Sequence, residues 1–184
     1  MGVWDVKKDE DRQQWSFIPL AAVGPLRFGM PPDEVSAALA PATESGSTGI
    51  SSEKGCAMGL KTILSSQRFT EPGITAYYGR SERLAAVAID ALQGPQVLLS
   101  GEPLVGRVPS IWEEWFCEHI AAHDFDLLYT HEGNPASADL GLIMRVQRAG
   151  DAVLTRPILA LHEWVDDSWD FLPGEEWRTF SSRR

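Results

Sequence analysis

The clearest helical pattern in this chain is Pro109-Ser110-Ile111-Trp112-Glu113-Glu114-Trp115-Phe116-Cys117-Glu118-His119-Ile120-Ala121-Ala122-His123. Proline is favoured in the first turn of a helix, because the N–H that it lacks has no intrahelical partner there. Large side chains then recur at helical spacing, as Ile111, Trp112, Trp115, Phe116, His119, Ile120 and His123. The stretch therefore predicts a helix that turns one wide apolar face toward a core.

An earlier segment predicts a shorter helix. It opens with Pro31-Pro32-Asp33-Glu34, in which acidic residues follow the prolines and complement the positive end of the helix dipole. Val35, Ala38 and Leu39 fall on one face, and Pro41 ends the helix. Residues 42–55 are rich in Ser, Gly and Thr and predict a loop.

Strand-like runs follow each helix. They lie at 57–64, 74–78, 84–91 and 96–99 after the first helix, and at 126–130, 140–147, 152–161 and 168–172 after the second. Turn signals such as Gln93-Gly94-Pro95 and Arg148-Ala149-Gly150-Asp151 separate them, so antiparallel meanders are expected. The predicted order is a helix, about four strands, a helix and about four strands.

This order indicates an internal repeat. Pro25-Leu26-Arg27-Phe28-Gly29-Met30-Pro31 aligns with Pro103-Leu104-Val105-Gly106-Arg107-Val108-Pro109 with one gap, at a period near 77 residues. A meander with one apolar face needs a cover, which a helix supplies. We therefore predict an α+β protein with a single domain over residues 1–184. It would contain two pseudo-repeats, about 19–98 and 99–184, each a short helix packed on an antiparallel β-meander.

The stretch Leu26-Arg27-Phe28-Gly29-Met30-Pro31-Pro32-Asp33-Glu34-Val35-Ser36-Ala37-Ala38-Leu39 resembles a family signature. It is similar to the pattern of Gly-Met, three residues, Glu-Val, three residues and Leu in BamE-like and beta-lactamase-inhibitory-protein-like modules. The resemblance implies a helical element on a small antiparallel sheet, which the inhibitory proteins carry in tandem. Gly94-Pro95-Gln96-Val97, Pro103-Leu104-Val105-Gly106-Arg107 and Trp169-Asp170-Phe171-Leu172-Pro173-Gly174 further resemble uncharacterised actinobacterial proteins similar to immunity proteins of toxin systems.

Charge is distributed unevenly along the chain, whose formal net charge is −10. No Lys or Arg occurs from Val108 to Met144, while seven acidic residues do: Glu113, Glu114, Glu118, Asp124, Asp126, Glu132 and Asp139. An excess of acid argues against binding to nucleic acid, which proteins hold through Lys and Arg. The acidic stretch predicts either a solvated face that keeps the protein in solution or a surface complementary to a basic partner.

A second acidic stretch covers residues 162–177, where Trp164, Trp169 and Trp177 alternate with six acids and no base occurs. Large aromatic area combined with negative charge is typical of protein-binding surfaces. The alternative is a terminal hairpin whose tryptophans belong to the core. Combining both stretches, we predict a partner-binding surface formed by Glu113, Glu114, Glu118, Trp164, Asp166, Asp167, Trp169, Asp170, Glu175 and Trp177.

His119 and His123 have the spacing of two ligands for one metal ion, and Cys117, Asp124 and His131 are near them in sequence. The Glu of a His-Glu-x-x-His motif is missing, because Ile120 follows His119. The alternative is that both histidines lie near the helix C-terminus, where partial negative charge favours them. Cys56 and Cys117 are too few for a disulfide scaffold and indicate a reducing compartment.

The chain contains no nucleophile elbow, P-loop or dinucleotide fingerprint. Its charged start, Asp5-Val6-Lys7-Lys8-Asp9, predicts no secretory signal and hence a cytoplasmic location. We therefore predict no catalytic residue, cofactor, metal, nucleic-acid partner or membrane association. The expected function is that of an immunity protein or inhibitor that binds a basic protein such as a nuclease toxin; the alternative is a small metal-dependent hydrolase using His119 and His123.

Overall fold

The computed structural model of the chain describes residues 4–40, 51–53, 65–79, 81–130 and 133–165. It is an α+β protein, as predicted. The helices are α1 (Pro32–Leu39), α2 (Pro109–His123) and the short α3 (His162–Val165). The strands are β1 (Gln14–Ile18), β2 (Ala22–Val23), β3 (Leu26–Arg27), β4 (Ser51–Glu53), β5 (Ser65–Phe69), β6 (Ile74–Tyr78), β7 (Leu84–Ile89), β8 (Gln96–Leu99), β9 (Glu102–Pro103), β10 (Leu128–Tyr129), β11 (Pro135–Ser137), β12 (Leu142–Ala149) and β13 (Ala152–Ala160).

An eight-stranded sheet forms the larger layer, with strand order β10-β11-β12-β13-β7-β6-β5-β4. All of its neighbouring strands are antiparallel. The meanders β4 to β7 and β10 to β13 meet where Val87 lies opposite Leu159. The predicted turn between β12 and β13 is confirmed, and Gly150 adopts the positive φ that this tight connection requires.

A five-stranded sheet, with order β3-β2-β1-β8-β9, forms the second layer. Strand β1 alternates exposed residues with buried Trp15 and Phe17, as expected for a strand with one face on a core. Its pairing with β8 is parallel, with Gln14 opposite Gln96. The prediction that residues 96–99 continue the first meander is therefore wrong, because β8 pairs with β1 and β9 instead.

The centre of the eight-stranded sheet is covered on both faces: successive residues of a strand point in opposite directions, and every residue of β7 is buried. Val87 and Leu159 belong to a core that also contains Val35 of α1 and Trp112 of α2. Ala88, the next residue along β7, belongs to a second cluster on the other face. The two longer helices thus cover one face of the sheet, and the second cluster includes residues of α3.

Both longer helices begin and end as predicted, but the predicted element order is incomplete. Three strands, β1 to β3, precede α1, and residues 51–53 form a strand rather than loop because they pair with β5. The predicted strands at 57–64 and 168–172 lie outside the described residues.

A polar network joins the segment before β1 to the connections that flank β8. The buried side chain of Arg12 donates to the carbonyl oxygens of Gly94 at 2.6 Å and Ala91 at 2.8 Å. Asp9 accepts hydrogen bonds from Arg107 and, at 3.1 Å, from the side chain of Gln96. Backbone carbonyl oxygens and one carboxylate therefore accept hydrogen bonds from two arginines, Arg12 and Arg107, whose burial would otherwise cost free energy.

Candidate protein-binding surface

Helix α2 presents the acidic residues of the first stretch on its outer face. Trp112, Phe116 and Ile120 recur every four residues and are buried against the sheet. This spacing places Glu114 and Glu118 on the exposed side, with Glu113 half-buried at its border. Burial of its aromatic side seats the helix against the sheet, so the backbone positions that carry the three glutamates are fixed on the surface.

Ile111 was predicted to lie on the apolar face of the helix, and this prediction is wrong. Its side chain is 67% exposed, because it is offset by one position from the buried row that starts at Trp112. His123 is also exposed rather than on the core side. An exposed aliphatic side chain therefore stands one turn before Glu114 on the outer surface of α2.

Tyr129 on β10 extends this surface to the edge of the eight-stranded sheet. Its ring is 54% exposed, and its hydroxyl donates to a carboxylate oxygen of Glu113 at 3.2 Å. The hydrogen bond to Glu113 raises the pKa of the Tyr129 phenol above its usual value, and Cys117 contributes to the same shift. Sequence patterns did not point to Tyr129, because its contact with Glu113 depends on how β10 packs beside α2.

Aromatic rings line the side of α2 from its middle to just beyond its C-terminal end. The ring of His119 stacks on Trp115 at 5.0 Å and contacts His123 at 4.3 Å, while His123 stacks on Phe125 at 5.5 Å between centroids. Burial lowers the pKa of His119, and the neighbouring His123 lowers it further. The neutral form of His119 is therefore favoured within this stack.

The rings of the two histidines pack against each other with a tilt of 37°. His123 uses Nδ1 in a 2.8 Å contact with the carbonyl oxygen of His119. Within the part of the chain that the structure describes, no three His, Cys, Asp or Glu residues are grouped so as to hold a metal ion. His131, a ligand considered from the sequence, lies outside that part.

The C-terminal portion of the predicted surface is described only at Trp164. This side chain is 7% exposed and contacts Gly79, where an added Cβ would lie 2.8 Å from the indole ring. Trp164 therefore belongs to the second cluster, and its prediction as an exposed anchor is wrong. Six other predicted contact residues lie outside the described residues: Asp166, Asp167, Trp169, Asp170, Glu175 and Trp177.

A small cavity opens beside the second cluster, between the β5–β6 turn and the end of β7. It has a volume of about 90 Å³, and polar residues of its lining are Arg68, Thr75, Asp90, Gln93 and Arg156. Small-molecule sites commonly occupy roughly 300–1,000 Å³. The cavity is too small for a substrate of ordinary size, so the surface of α2 remains the better candidate site.

The function of this site has to be inferred from its own geometry. No family model, curated protein or solved structure matches the chain. Among the described residues, no helix is both long and apolar enough to cross a bilayer.

Proposed function

We propose that this protein is a cytoplasmic immunity protein or inhibitor, a protein-binding module that neutralises a toxin by covering a basic surface on it. The observation that carries the proposal is the exposed surface of α2, where Glu114 and Glu118 follow exposed Ile111 on one side and Glu113 binds the hydroxyl of exposed Tyr129 on the other. The apolar and aromatic side chains provide contact area, and the carboxylates provide complementary charge.

A nuclease toxin is the class of partner that this chemistry fits best. The channel of a nuclease is lined with Lys and Arg that attract phosphates, and carboxylates held on a rigid helix can occupy the same positions. No Lys or Arg interrupts the sequence between Val108 and Met144, so no basic residue within this stretch offsets its negative charge.

The proposal also includes candidate contact residues in the part of the C-terminal acidic stretch that follows α3. They are Asp166, Asp167, Trp169, Asp170, Glu175 and Trp177, which the sequence alone supports. Trp164 is not among them, since its ring is buried.

We further propose that the fold is built from two pseudo-repeats. The strand order of the eight-stranded sheet is symmetric. Strands β4 to β7 run inward from one edge, and β10 to β13 run inward from the other edge in the same order. Helices α1 and α2 begin at Pro32 and Pro109, a spacing of about 77 residues, and strands β4 and β10 begin at Ser51 and Leu128 with the same spacing. These correspondences support a tandem arrangement of a helix and a meander.

The metal-dependent hydrolase considered from the sequence gains no specific support. His119 and His123 engage each other and their aromatic neighbours, and the one cavity described above lies elsewhere.

The proposal is tested with a toxin encoded beside this gene. Its purified toxic domain is mixed with the wild-type protein, with E113Q/E114Q/E118Q, and with E34Q/E71Q/E102Q, a control that removes equal charge from exposed sites elsewhere. We expect wild type and control to abolish toxin activity and the α2 variant to associate more slowly. Association should also slow as salt rises, because the Debye length falls from about 10 Å at 0.1 M to about 3 Å at 1 M.

Two results would contradict the proposal. One is a gene neighbourhood without a toxin, together with no inhibition of basic nuclease domains supplied in a panel. The other is inhibition that the α2 variant retains at the wild-type rate and salt dependence.

A further inference from the structure

Four exposed β-branched aliphatic side chains lie where the β12–β13 hairpin meets the start of α2. We name Val108, Ile111, Val146 and Val153 the aliphatic patch. Their exposed fractions range from 37% to 67%, which is high for residues of this kind. Scattered exposed aliphatic residues need no explanation, but a contiguous group indicates an interaction site.

Thr155 on β13 shows why these residues are neighbours. Its amide donates to the carbonyl oxygen of Arg107 at 2.9 Å, and the amide of Arg107 donates to its hydroxyl at 2.8 Å. Val108 is the next residue after Arg107 and therefore sits directly beside β13. The start of α2 is thus fixed against the hairpin by hydrogen bonds.

Strand register places the two hairpin valines on the same face as the side chain of Thr155. Val146 lies opposite Thr155 in the β12–β13 ladder, and Val153 precedes Thr155 by two residues. Among the described residues, strand β13 pairs with β7 only at Ile158, Leu159 and Ala160. The rest of the β12–β13 hairpin therefore extends beyond β7. Its valines consequently face solvent rather than the core.

The acidic residues that follow Ile111 on α2 favour a basic partner. Glu114 lies one turn after Ile111 on the exposed side of α2, and Glu118 follows one turn later. Of two basic groups nearby, Arg107 is balanced by a carboxylate, whereas Arg148, opposite Val153 in the β12–β13 ladder, keeps its positive charge. Arg107 pairs with Asp9, and Arg148 donates to the carbonyl oxygen of Gly150 at 2.6 Å.

This inference rests on the proposed function. We propose that the aliphatic patch is the part of the same interface that anchors the partner. Its partner would be a protein surface that presents an aliphatic or aromatic side chain surrounded by Lys or Arg. The acidic residues of α2 would then accelerate encounter, while the aliphatic patch would slow dissociation by removing apolar surface from water. The two halves of the interface therefore have separable kinetic effects.

The test uses two synthetic helical peptides with the same number of lysines. One carries leucine along the opposite helical face, and the other carries alanine at those positions. Binding of each is measured by calorimetry to wild type, to V146S/V153S, to E113Q/E114Q/E118Q, and to I18S. Ile18 is an aliphatic residue of the five-stranded sheet that is more exposed than either valine, and it serves as the control. Thermal unfolding verifies that every variant is folded.

We expect the leucine peptide to bind wild type and I18S about tenfold more tightly than the alanine peptide. V146S/V153S should lose this advantage while binding the alanine peptide as wild type does. The inference is overturned if the leucine peptide has no advantage, if the advantage survives in V146S/V153S, or if neither peptide binds at 1 mM. The proposed function fails separately if E113Q/E114Q/E118Q binds both peptides as tightly as wild type at low salt.

Discussion

The guanidinium of Arg12 donates a 2.6 Å hydrogen bond to the carbonyl oxygen of Gly94, which lies 82 residues further along the chain. It also donates to the carbonyl oxygens of Ala91 and Leu92. One side chain thereby satisfies three backbone acceptors in the connection between β7 and β8. This arrangement holds the segment before β1 against the strand that β1 must pair with.

Replacing Arg12 with Ala should lower the free energy of unfolding by about 3 kcal/mol, because buried carbonyls lose charged donors. Urea unfolding at neutral pH measures the change. R12K should recover only part of the loss, since an ammonium lacks the planar fork that reaches several carbonyls. R27A removes an exposed arginine and should be nearly neutral. Equal stability of R12A and R27A would contradict this role.

Asp9 should make the protein less stable in acid. Partial burial raises the pKa of Asp9, but the hydrogen bond and charge of Arg107, helped by Gln96 and Arg12, outweigh it and leave the pKa below 3.8. Since the folded state depresses this pKa, the contribution is complete above 3.8 and is lost as pH falls through the folded-state value. The stability difference between wild type and D9N should therefore shrink below pH 3.8; D11N, which removes an exposed carboxylate nearby, is the control.

The Tyr129 phenol should ionise more readily in E113A than in wild type. The hydrogen bond to Glu113 is the largest cause of its raised pKa, so removing that carboxylate lowers the pKa toward 10.0. Absorbance at alkaline pH follows the titration, and Y129F identifies the step that belongs to this residue. An unchanged step in E113A would show that the pair is not formed in solution.

Replacing His123 with Gln should raise the pKa of His119 while leaving it below 6.5, because burial continues to act and the second imidazole is gone. NMR titration of the ring protons measures this directly. The folded state depresses this pKa, so wild type should lose stability as pH falls below 6.5. H123Q should lose less; identical His119 titrations in the two proteins would argue against coupling.

Gly141→Ala should cost about 3 kcal/mol of stability, because an added Cβ would overlap the carbonyl oxygen of Ala160 at a backbone with φ of +64°. Gly101 provides the control, since its φ is +88° but no atom lies within 4 Å of the added Cβ. G101A should cost about 1 kcal/mol, from backbone strain alone. Similar losses in thermal unfolding experiments would exclude the steric contact as the cause.

Local patterns predicted much of the fold. Pro109 and the row of Trp112, Phe116 and Ile120 define α2 by its own geometry, and Gly150 defines a tight turn. Strand β1 also shows a strand-like alternation, with Trp15 and Phe17 buried between exposed neighbours. Its parallel partner β8 had no local signal, because this pairing depends on contacts between distant segments.

The candidate site could be predicted only in part, because it also depends on how separate segments pack together. Glu114 and Glu118 could be placed from helical spacing alone, as residues opposite a buried row. The exposure of Ile111 required the orientation of that row on the sheet. Trp164 was predicted to be at the interface but is buried. A tryptophan among acidic residues has the same sequence pattern in an interface and in a core.

The parallel pairing of β1 with β8 constrains how the protein is made. Ribosomes add about 5–20 residues per second, so roughly 4–16 s separate the synthesis of these strands. During that interval β1 has β2 as a partner on one side, while its other edge awaits β8. A translational pause between them would prolong the exposure of this unpaired edge, and synthesis speed would then influence the yield of folded chains.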